Sequence, residues 1–231
     1  MEIANALKTT VERINRAAAR AGRNPDKIKL IAVSKTIALD KILDALKAGA
    51  AVLGENRVQE ARDKITELRV RNTDLKPEWH LIGNLQKNKA RTAVRLFDMI
   101  HSVDSEELAL ILNQHAAQSG RKQRVLVQVK LSDEEAKHGI PETKLMDLLG
   151  KVIAMENLKL EGLMTIPPFY SDPEKARPFF RKLKEFAEIA IGRGYPINDL
   201  SMGMSTDFEV AIEEGSTLVR VGTAIFGNRN Y

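Results

Sequence analysis

Short apolar segments alternate with amphipathic segments eight times along the chain, and this alternation limits the folds that it can adopt. The predicted strands cover residues 28–33, 51–53, 79–82, 99–103, 125–129, 158–164, 199–202 and 218–221. Each is followed by a segment whose apolar residues recur at helical spacing. Because parallel strands need long crossover connections, the alternation predicts a parallel sheet. Eight units favour closure into an α/β fold of the (β/α)8 TIM-barrel type, and an open doubly wound sheet is the alternative.

An extra N-terminal helix precedes the first strand. Its apolar residues recur at helical spacing from Ile3 to Ala18, and Gly22 ends the pattern. The helix after the sixth strand is predicted over residues 173–191, with Pro178 marking a bend or a late start. No linker and no repeat interrupts the sequence, so we predict a single domain over residues 1–231, with the leading helix in residues 1–22.

The composition excludes several functions. The sequence has no cysteine, which excludes disulfides, thiolate metal sites and a cysteine nucleophile. No apolar stretch is long enough to span a membrane, and the first residues do not resemble a secretory signal, so we expect a cytoplasmic protein. Basic residues are interleaved with acidic ones despite the net charge of +5, and aromatic residues are only 5%, so nucleic-acid binding is not expected.

Lys35 follows the first predicted strand, whose residues are almost all apolar. A lysine at this place is held on a rigid element and can reach a cleft, where desolvation favours the neutral amine that attacks carbonyl groups. The alternative is a solvated lysine at a strand end, which is the commoner situation for this residue type. The other strand ends decide between these interpretations.

Polar residues and glycines gather at the C-terminal ends of the predicted strands, where barrels of this kind carry their chemistry. The loops after the seventh and eighth strands contain Ser201, Gly203, Ser205, Gly222 and Thr223. Glycines let backbone N–H groups approach a phosphate, and hydroxyl groups add donors, so the two loops together predict a phosphate site. Taken singly, Ser205 is also explained as a helix N-cap and Gly222 as a turn residue.

A phosphate site beside a lysine that can form an imine suggests pyridoxal 5'-phosphate as the cofactor. Arg220, at the end of the eighth strand, is the candidate partner of the pyridine nitrogen, and an ion pair at the barrel rim is the alternative. Asn56 is either a contact of the cofactor ring or an N-cap of the next helix. His80 either lines the pocket or is a hydrogen-bonded histidine of the core.

Six runs of the sequence carry a resemblance to a known family. They are residues 32–36 (AVSKT), 54–60 (GENRVQE), 79–89 (WHLIGNLQKNK), 162–167 (GLMTIP), 200–205 (LSMGMS) and 219–227 (VRVGTAIFG). These runs resemble the signature segments of the pyridoxal phosphate homeostasis proteins, and the resemblance extends from about Lys29 to Tyr231. The sequence departs from the family pattern at Thr165, which we expect at the pocket rim, and at Thr206.

The resemblance implies a fold-type III barrel like the N-terminal domain of alanine racemases, with pyridoxal 5'-phosphate bound covalently as an internal aldimine on Lys35. It implies that Asn56 lies near the ring and Arg220 at the pyridine nitrogen. It also implies that Ser201, Ser205, Gly222 and Thr223 hold the phosphate. The full set of expected cofactor-binding residues is Lys35, Asn56, His80, Met164, Ser201, Met202, Gly203, Ser205, Arg220, Gly222 and Thr223.

The resemblance implies a protein that holds pyridoxal phosphate for vitamin B6 homeostasis, with cofactor-dependent enzymes as clients. The alternative is an amino-acid racemase, which needs a second acid or base on the opposite face of the substrate. In alanine racemases that group is a tyrosine of a further domain, whereas this sequence ends at Tyr231, directly after the last strand. We therefore expect a non-enzymatic carrier, as a monomer or weak dimer. A third possibility is a phosphate-binding barrel enzyme in which Lys35 is the base.

Overall fold

A closed barrel of parallel strands forms the centre of the protein. The computed structural model describes residues 2–71, 74–132, 134 and 137–227. Its strands are β1 (Lys29–Val33), β2 (Val52–Glu55), β3 (Glu78–Leu81), β4 (Met99–Val103), β5 (Gln123–Lys130), β6 (Ile140–Pro141), β7 (Leu158–Met164), β8 (Asp199–Ser201) and β9 (Leu218–Val221). All except the two-residue β6, which pairs with β5 outside the ring, belong to the barrel.

Closure of the barrel is seen in the strand pairing. Around the ring the order is β1, β2, β3, β4, β5, β7, β8 and β9, and β9 pairs with β1 in parallel. The last three predicted strands correspond to β7, β8 and β9. The predicted (β/α)8 barrel is therefore confirmed, and the open-sheet alternative is wrong.

Helices follow the strands and cover the outside of the barrel. They are α1 (Glu2–Arg20), α2 (Leu39–Lys47), α3 (Val58–Val70), α4 (Ala90–Leu96), α5 (Glu106–Gln118), α6 (Leu145–Ile153), α7 (Arg177–Gly192), α8 (Phe208–Glu213) and α9 (Thr223–Phe226). The helix predicted over residues 173–191 starts late: a 3₁₀ turn over Pro173–Ala176 precedes α7, and Pro178 occupies its first turn. A proline fits there because its missing N–H has no intrahelical partner to lose.

Two separate apolar cores result from the alternation of side chains along the strands. The outer core lies between the strands and the helices, and it includes Trp79 and Leu81 of β3. The inner core fills the barrel axis with residues from six strands: Ile31, Val52, Met99, Leu126, Met164 and Leu218. Because successive side chains of a strand point to opposite faces, Glu78 and His80 of β3 lie on the inner side.

The leading helix α1 packs against α8, α9 and α2. Its apolar face buries Leu7, Ile14, Ala17 and Ala18. Two ion pairs join it to the α8 segment, Arg13 to Glu209 and Arg20 to Glu213, and partly exposed pairs of this kind contribute less than about 1 kcal/mol each. Apolar burial therefore holds α1 in place. Among the described helices, none combines the length and the apolarity that crossing a membrane requires.

Candidate functional site

A cavity of about 440 Å³ opens at the C-terminal end of the barrel. Its walls come from the segments that follow β1, β2, β3, β7, β8 and β9, which is the end where such barrels carry their chemistry. Six predicted site residues line it: Lys35, Asn56, Ser205, Arg220, Gly222 and Thr223. Apolar side chains, among them Ile166, Phe169 and Met204, complete the wall.

Lys35 lies in the turn that ends β1, half-buried at the cavity wall. The N–H of Ile37 donates to the carbonyl of Ser34 over 3.0 Å, which closes a four-residue turn with Thr36 at its third position. Thr36 has a φ of 62°, in the left-handed region that a β-branched residue rarely adopts. Its hydroxyl donates to the Lys35 carbonyl over 2.6 Å. The residue after the lysine is thus held in a strained backbone conformation.

Arg220 is buried at the bottom of the cavity, with only 3% of its surface exposed. Its Nη1 donates to Ser201 Oγ over 2.6 Å, and its Nη2 donates to the Thr165 carbonyl over 2.9 Å. These partners are neutral and buried, so the alternative of an ion pair at the rim is wrong. Burial lowers the pKa of Arg220 to about 10, and the Asp207 carboxylate opposes part of this shift. Arg220 is therefore a cation at neutral pH, with N–H groups left for a ligand.

A chain of hydrogen bonds runs from Arg220 through the interior of the barrel. From Ser201 Oγ it passes to His101 Nδ1 over 2.9 Å, and from His101 Nε2 to His80 Nδ1 over 3.1 Å. His80 Nε2 then lies 3.2 Å from Glu78 Oε2. The chain joins β9, β8, β4 and β3, and it ends near the N-terminal edge of β3.

The chemistry of the two ends fixes the direction of the first and the last bond in this chain. A guanidinium only donates, so Ser201 Oγ accepts from Arg220. At the other end, the Glu78 carboxylate accepts from His80 Nε2. Burial lowers the pKa of His101 well below its usual value, which keeps that ring neutral. The bond from His80 lowers the pKa of Glu78 to about 2, which keeps the carboxylate ionised.

Backbone N–H groups converge where the loops after β8 and β9 meet. Ser205 Oγ accepts from the Gly222 N–H over 3.1 Å and from the Ala224 N–H over 3.5 Å. Ser205 is not the N-cap of α8, because Asp207 holds that position and accepts from the Met204 N–H over 2.6 Å. Two backbone N–H groups therefore point towards the Ser205 hydroxyl. Converging backbone donors of this kind are typical of an anion site.

Two glycines shape this end of the barrel. Gly203 has a φ of 90°, and a Cβ there would lie 2.6 Å from the Ala211 Cβ. Gly83 packs directly on Asn56, since a Cβ would lie 2.4 Å from the Asn56 carbonyl oxygen. Asn56 is not an N-cap, because Arg57 occupies that position of α3. Both loops therefore need glycine in order to approach as they do.

The other predicted site residues lie beneath the cavity rather than in its wall. Met164, Ser201 and Met202 are fully buried, and the Ser201 hydroxyl is engaged by Arg220 and His101. His80 is also fully buried, so it is a hydrogen-bonded histidine of the core, as the alternative held, and it does not line the cavity. Gly203 contributes its carbonyl, which accepts from the Arg220 N–H over 3.0 Å. Contact of these residues with a cofactor stays a prediction.

Thr165 does not lie at the pocket rim, contrary to expectation. It is 1% exposed, and its hydroxyl donates to the Val129 carbonyl over 3.0 Å. Its carbonyl supports Arg220. The hydroxyl is thus consumed inside the barrel wall, which explains why a polar residue is tolerated there.

Sequence reasoning missed several residues of this region. Neither His101 nor Glu78 is among the residues predicted for the site. The period of two along β3 puts Glu78 and His80 on one face, a signal that identifies them as neighbours. Phe169, at the mouth of the cavity and 73% exposed, carried no signal beyond its loop position.

A larger cavity, of about 810 Å³, lies at the opposite end of the barrel. It is bounded by α1 and the starts of β1, β2 and β3, and apolar groups dominate its surface. Barrels of this kind carry their active sites at the other end, and the converging lysine, arginine and N–H donors also lie there. We therefore assign the candidate site to the smaller cavity.

The barrel, with its lysine after the first strand and its arginine on the last, defines a protein of the alanine racemase barrel class. The family described as "Alanine racemase, N-terminal domain" matches residues 5–230. Alanine racemase of Clostridium difficile has the same fold, with a TM-score of 0.72 at 16% identity, over 98% of this chain and 60% of that one. This likeness concerns the fold alone.

Other relatives are similar over their whole length. The pyridoxal phosphate homeostasis protein of Aquifex aeolicus is 42% identical over all of both chains, and that of Escherichia coli K12 is 42% identical over all of this chain and 98% of its own. PipY of Synechococcus elongatus, solved with pyridoxal phosphate bound, has a TM-score of 0.81 and 39% identity, over 93% of this chain and all of that one. The chain belongs to the pyridoxal phosphate homeostasis protein family.

Proposed function

We propose that this protein binds pyridoxal 5'-phosphate, holds it covalently on Lys35 and contributes to the homeostasis of the cofactor. One observation carries the proposal: Lys35, Arg220 and the N–H groups around Ser205 converge on a single cavity. The cofactor brings an aldehyde, a pyridine nitrogen and a phosphate, and each has a matching group in this wall. When bound, it supplies the aldehyde that condenses with an amine to an imine and water.

The phosphate is assigned to the meeting point of the loops after β8 and β9. Gly222 and Ala224 present N–H groups there, and Ser205 and Thr223 add hydroxyl groups. Arg220 is assigned to the pyridine nitrogen, towards which it acts as a donor because its guanidinium remains charged. Asn56 lines the wall between Lys35 and the β3 loop and is assigned to the ring. The chain is therefore organised to hold the cofactor in one orientation.

A carrier is favoured over a racemase. The relatives over the whole length are named as homeostasis proteins. Racemisation needs a second acid or base, and among the described residues the cavity wall includes no tyrosine. Tyr170 stacks on Phe179 and Tyr195 donates to the Met146 carbonyl over 3.5 Å, while Tyr231 lies outside the described residues. An arginine beside the pyridine nitrogen also leaves that nitrogen unprotonated, which weakens the ring as an electron sink.

The proposal extends to the setting in which the carrier works. We place it in the cytoplasm, as a monomer or weak dimer that passes cofactor to dependent enzymes. Phe169 is exposed at the mouth of the cavity, and we infer that clients approach the site there.

The test combines a visible spectrum with chemical trapping. Purified protein loaded with pyridoxal phosphate is expected to show an imine band that borohydride removes, with the reduced cofactor mapped by mass spectrometry to the peptide of Lys35. A spectrum unchanged by cofactor and borohydride would favour the barrel enzyme in which Lys35 is a base. Racemisation of alanine or serine by the purified protein would contradict the carrier.

A further inference from the structure

A buried cluster of charged groups lies directly behind the turn that carries Lys35. Lys64 of α3 has a side chain that is 11% exposed, and its Nζ makes three hydrogen bonds. The acceptors are the Ser34 carbonyl at 2.6 Å, Glu55 Oε1 at 2.7 Å and Glu60 Oε1 at 2.6 Å. An ammonium has three N–H donors, so all of its donors are used.

The cluster makes hydrogen bonds to the residues on both sides of Lys35. On one side, Lys64 holds the Ser34 carbonyl, and the Ser34 hydroxyl donates to Glu55 Oε1 over 2.7 Å. On the other side, the Thr36 N–H donates to Glu60 Oε1, the same oxygen that Lys64 contacts. The two residues adjacent to Lys35 are thus tied to a single ammonium and its carboxylates.

The strained backbone conformation of Thr36 explains why these hydrogen bonds to the turn are needed. The third position of this turn has a φ of 62°, which normally selects glycine or asparagine. A β-branched residue held there relaxes unless surrounding contacts determine the backbone. Burial raises the pKa of Glu55, and the Lys64 ammonium opposes this shift, so the cluster itself depends on the charge of the lysine.

We propose that Lys64 is a positioning residue, which together with Glu60 and Glu55 fixes the turn that presents Lys35 to the cavity. The effect of Lys64 on imine formation rests on the proposed function. Its hydrogen bonds to the turn do not depend on any cofactor. Lys64 does not line the cavity; it contacts the Ser34 carbonyl directly and reaches the Thr36 N–H through Glu60.

The first test is hydrogen exchange of the Thr36 amide in protein without added cofactor, read by nuclear magnetic resonance. Lys64→Met combined with Glu55→Gln removes the ammonium without leaving a buried carboxylate unpaired, which protects the fold. We expect the Thr36 amide to exchange at least about tenfold faster, because its protection depends on local opening, while amides of β5 stay unchanged. The matched control is Lys151→Met, since Lys151 also pairs with two carboxylates, Glu106 and Asp147, but at the surface.

The second test is the rate at which the imine band appears after mixing with pyridoxal phosphate. The double variant is expected to form the imine about tenfold more slowly than the Lys151→Met control. Adding Thr36→Gly should recover part of that rate, because glycine adopts the positive φ without strain. A purely structural role would not be rescued in this way.

The outcomes separate this inference from the proposed function. Equal Thr36 exchange and equal imine rates in the double variant and the Lys151→Met control would overturn the inference. The inference would also be overturned if imine formation slows in the double variant while the amides of every strand exchange faster, and if Thr36→Gly does not restore the rate of imine formation. If the wild-type protein forms no imine, the proposed function is contradicted. Faster Thr36 exchange in the double variant would then still support the role of Lys64 in fixing the turn.

Discussion

Arg220 and Glu78 are the two charged ends of one hydrogen-bonded chain, although their strands do not pair with each other. Three side chains link them through hydrogen bonds: Ser201, His101 and His80. The cation lies in the cavity wall and the carboxylate lies near the other end of the barrel. The arrangement gives both buried histidines hydrogen-bond partners, and it sets the orientation of the guanidinium.

Replacing Ser201 by alanine is expected to weaken cofactor binding. Arg220 Nη1 loses its acceptor, and a hydrogen bond to a charged group contributes about 1.5–3 kcal/mol, so the dissociation constant should rise at least about tenfold. A spectrophotometric titration measures it. Ser102→Ala is the matched control, because Ser102 is equally buried on β4 and its hydroxyl has no partner among the described residues. Equal affinity in the two variants would contradict the role of Ser201.

The pH dependence of stability should report the Glu78 carboxylate. Its pKa is about 2 in the folded protein, below the ordinary value of 4.5, so its contribution is complete above pH 4.5 and is lost as the pH falls towards 2. Glu78→Gln is expected to flatten this part of the profile of the free energy of unfolding. The change should stay below about 1 kcal/mol, because the side chain is 44% exposed and solvent screens it. Urea titrations at pH 6 and pH 3 measure it, and parallel profiles for variant and wild type would refute it.

Gly203→Ala is expected to destabilise the protein more than Gly194→Ala. Both glycines have a positive φ, near 90° and 85°, so both variants lose roughly 1 kcal/mol or more through the backbone. Only at Gly203 does the new Cβ meet other atoms, at 2.6 and 2.8 Å, whereas nothing lies within 4 Å at Gly194. Overpacking adds about 1–3 kcal/mol. Denaturant midpoints of the two variants measure this difference. Equal losses of stability would show that the loop after β8 moves to accommodate the new Cβ without a free-energy cost.

Truncating the buried face of α1 should destabilise the whole barrel. Ile14 is 3% exposed, so Ile14→Ala is expected to cost about 2–5 kcal/mol. Val11, on the same helix and 40% exposed, supplies the control, and Val11→Ala should change stability by less than about 0.5 kcal/mol. Thermal unfolding followed by circular dichroism measures both. A separate early transition in Ile14→Ala would show instead that α1 unfolds on its own.

The strand pattern of the barrel could be predicted because it depends on local composition. The boundaries of β4, β7 and β9 match the prediction, since each strand begins and ends with an apolar residue and is followed by a polar residue or a glycine. At β3 the prediction began one residue late and so missed Glu78. A charged residue at the start of a strand is normally assigned to a loop. The hydrogen bonds of Glu78 to His80 and Arg124 explain why this glutamate belongs to the strand and faces the barrel axis.

The wall of the cavity was predictable and its support was not. Lys35, Asn56, Ser205, Arg220, Gly222 and Thr223 each follow or end a strand, and closure of a barrel brings all strand ends together. The bonds of Ser201 to His101 and of Lys64 to Ser34 join residues 100 and 30 positions apart in the chain. No local pattern specifies such partners, because they depend on how the strands are tilted and ordered around the ring.

The inner core of six apolar side chains closes the axis of the barrel. Among the described residues, a molecule therefore reaches the cavity from its open mouth, beside the exposed ring of Phe169, and not along the barrel axis. Under the proposed function, a supplier of the cofactor and a recipient would use this opening in turn, because the described residues of the inner core block the axis of the barrel. Loading and release of the cofactor are therefore coupled under that function, because both steps depend on access to the same opening.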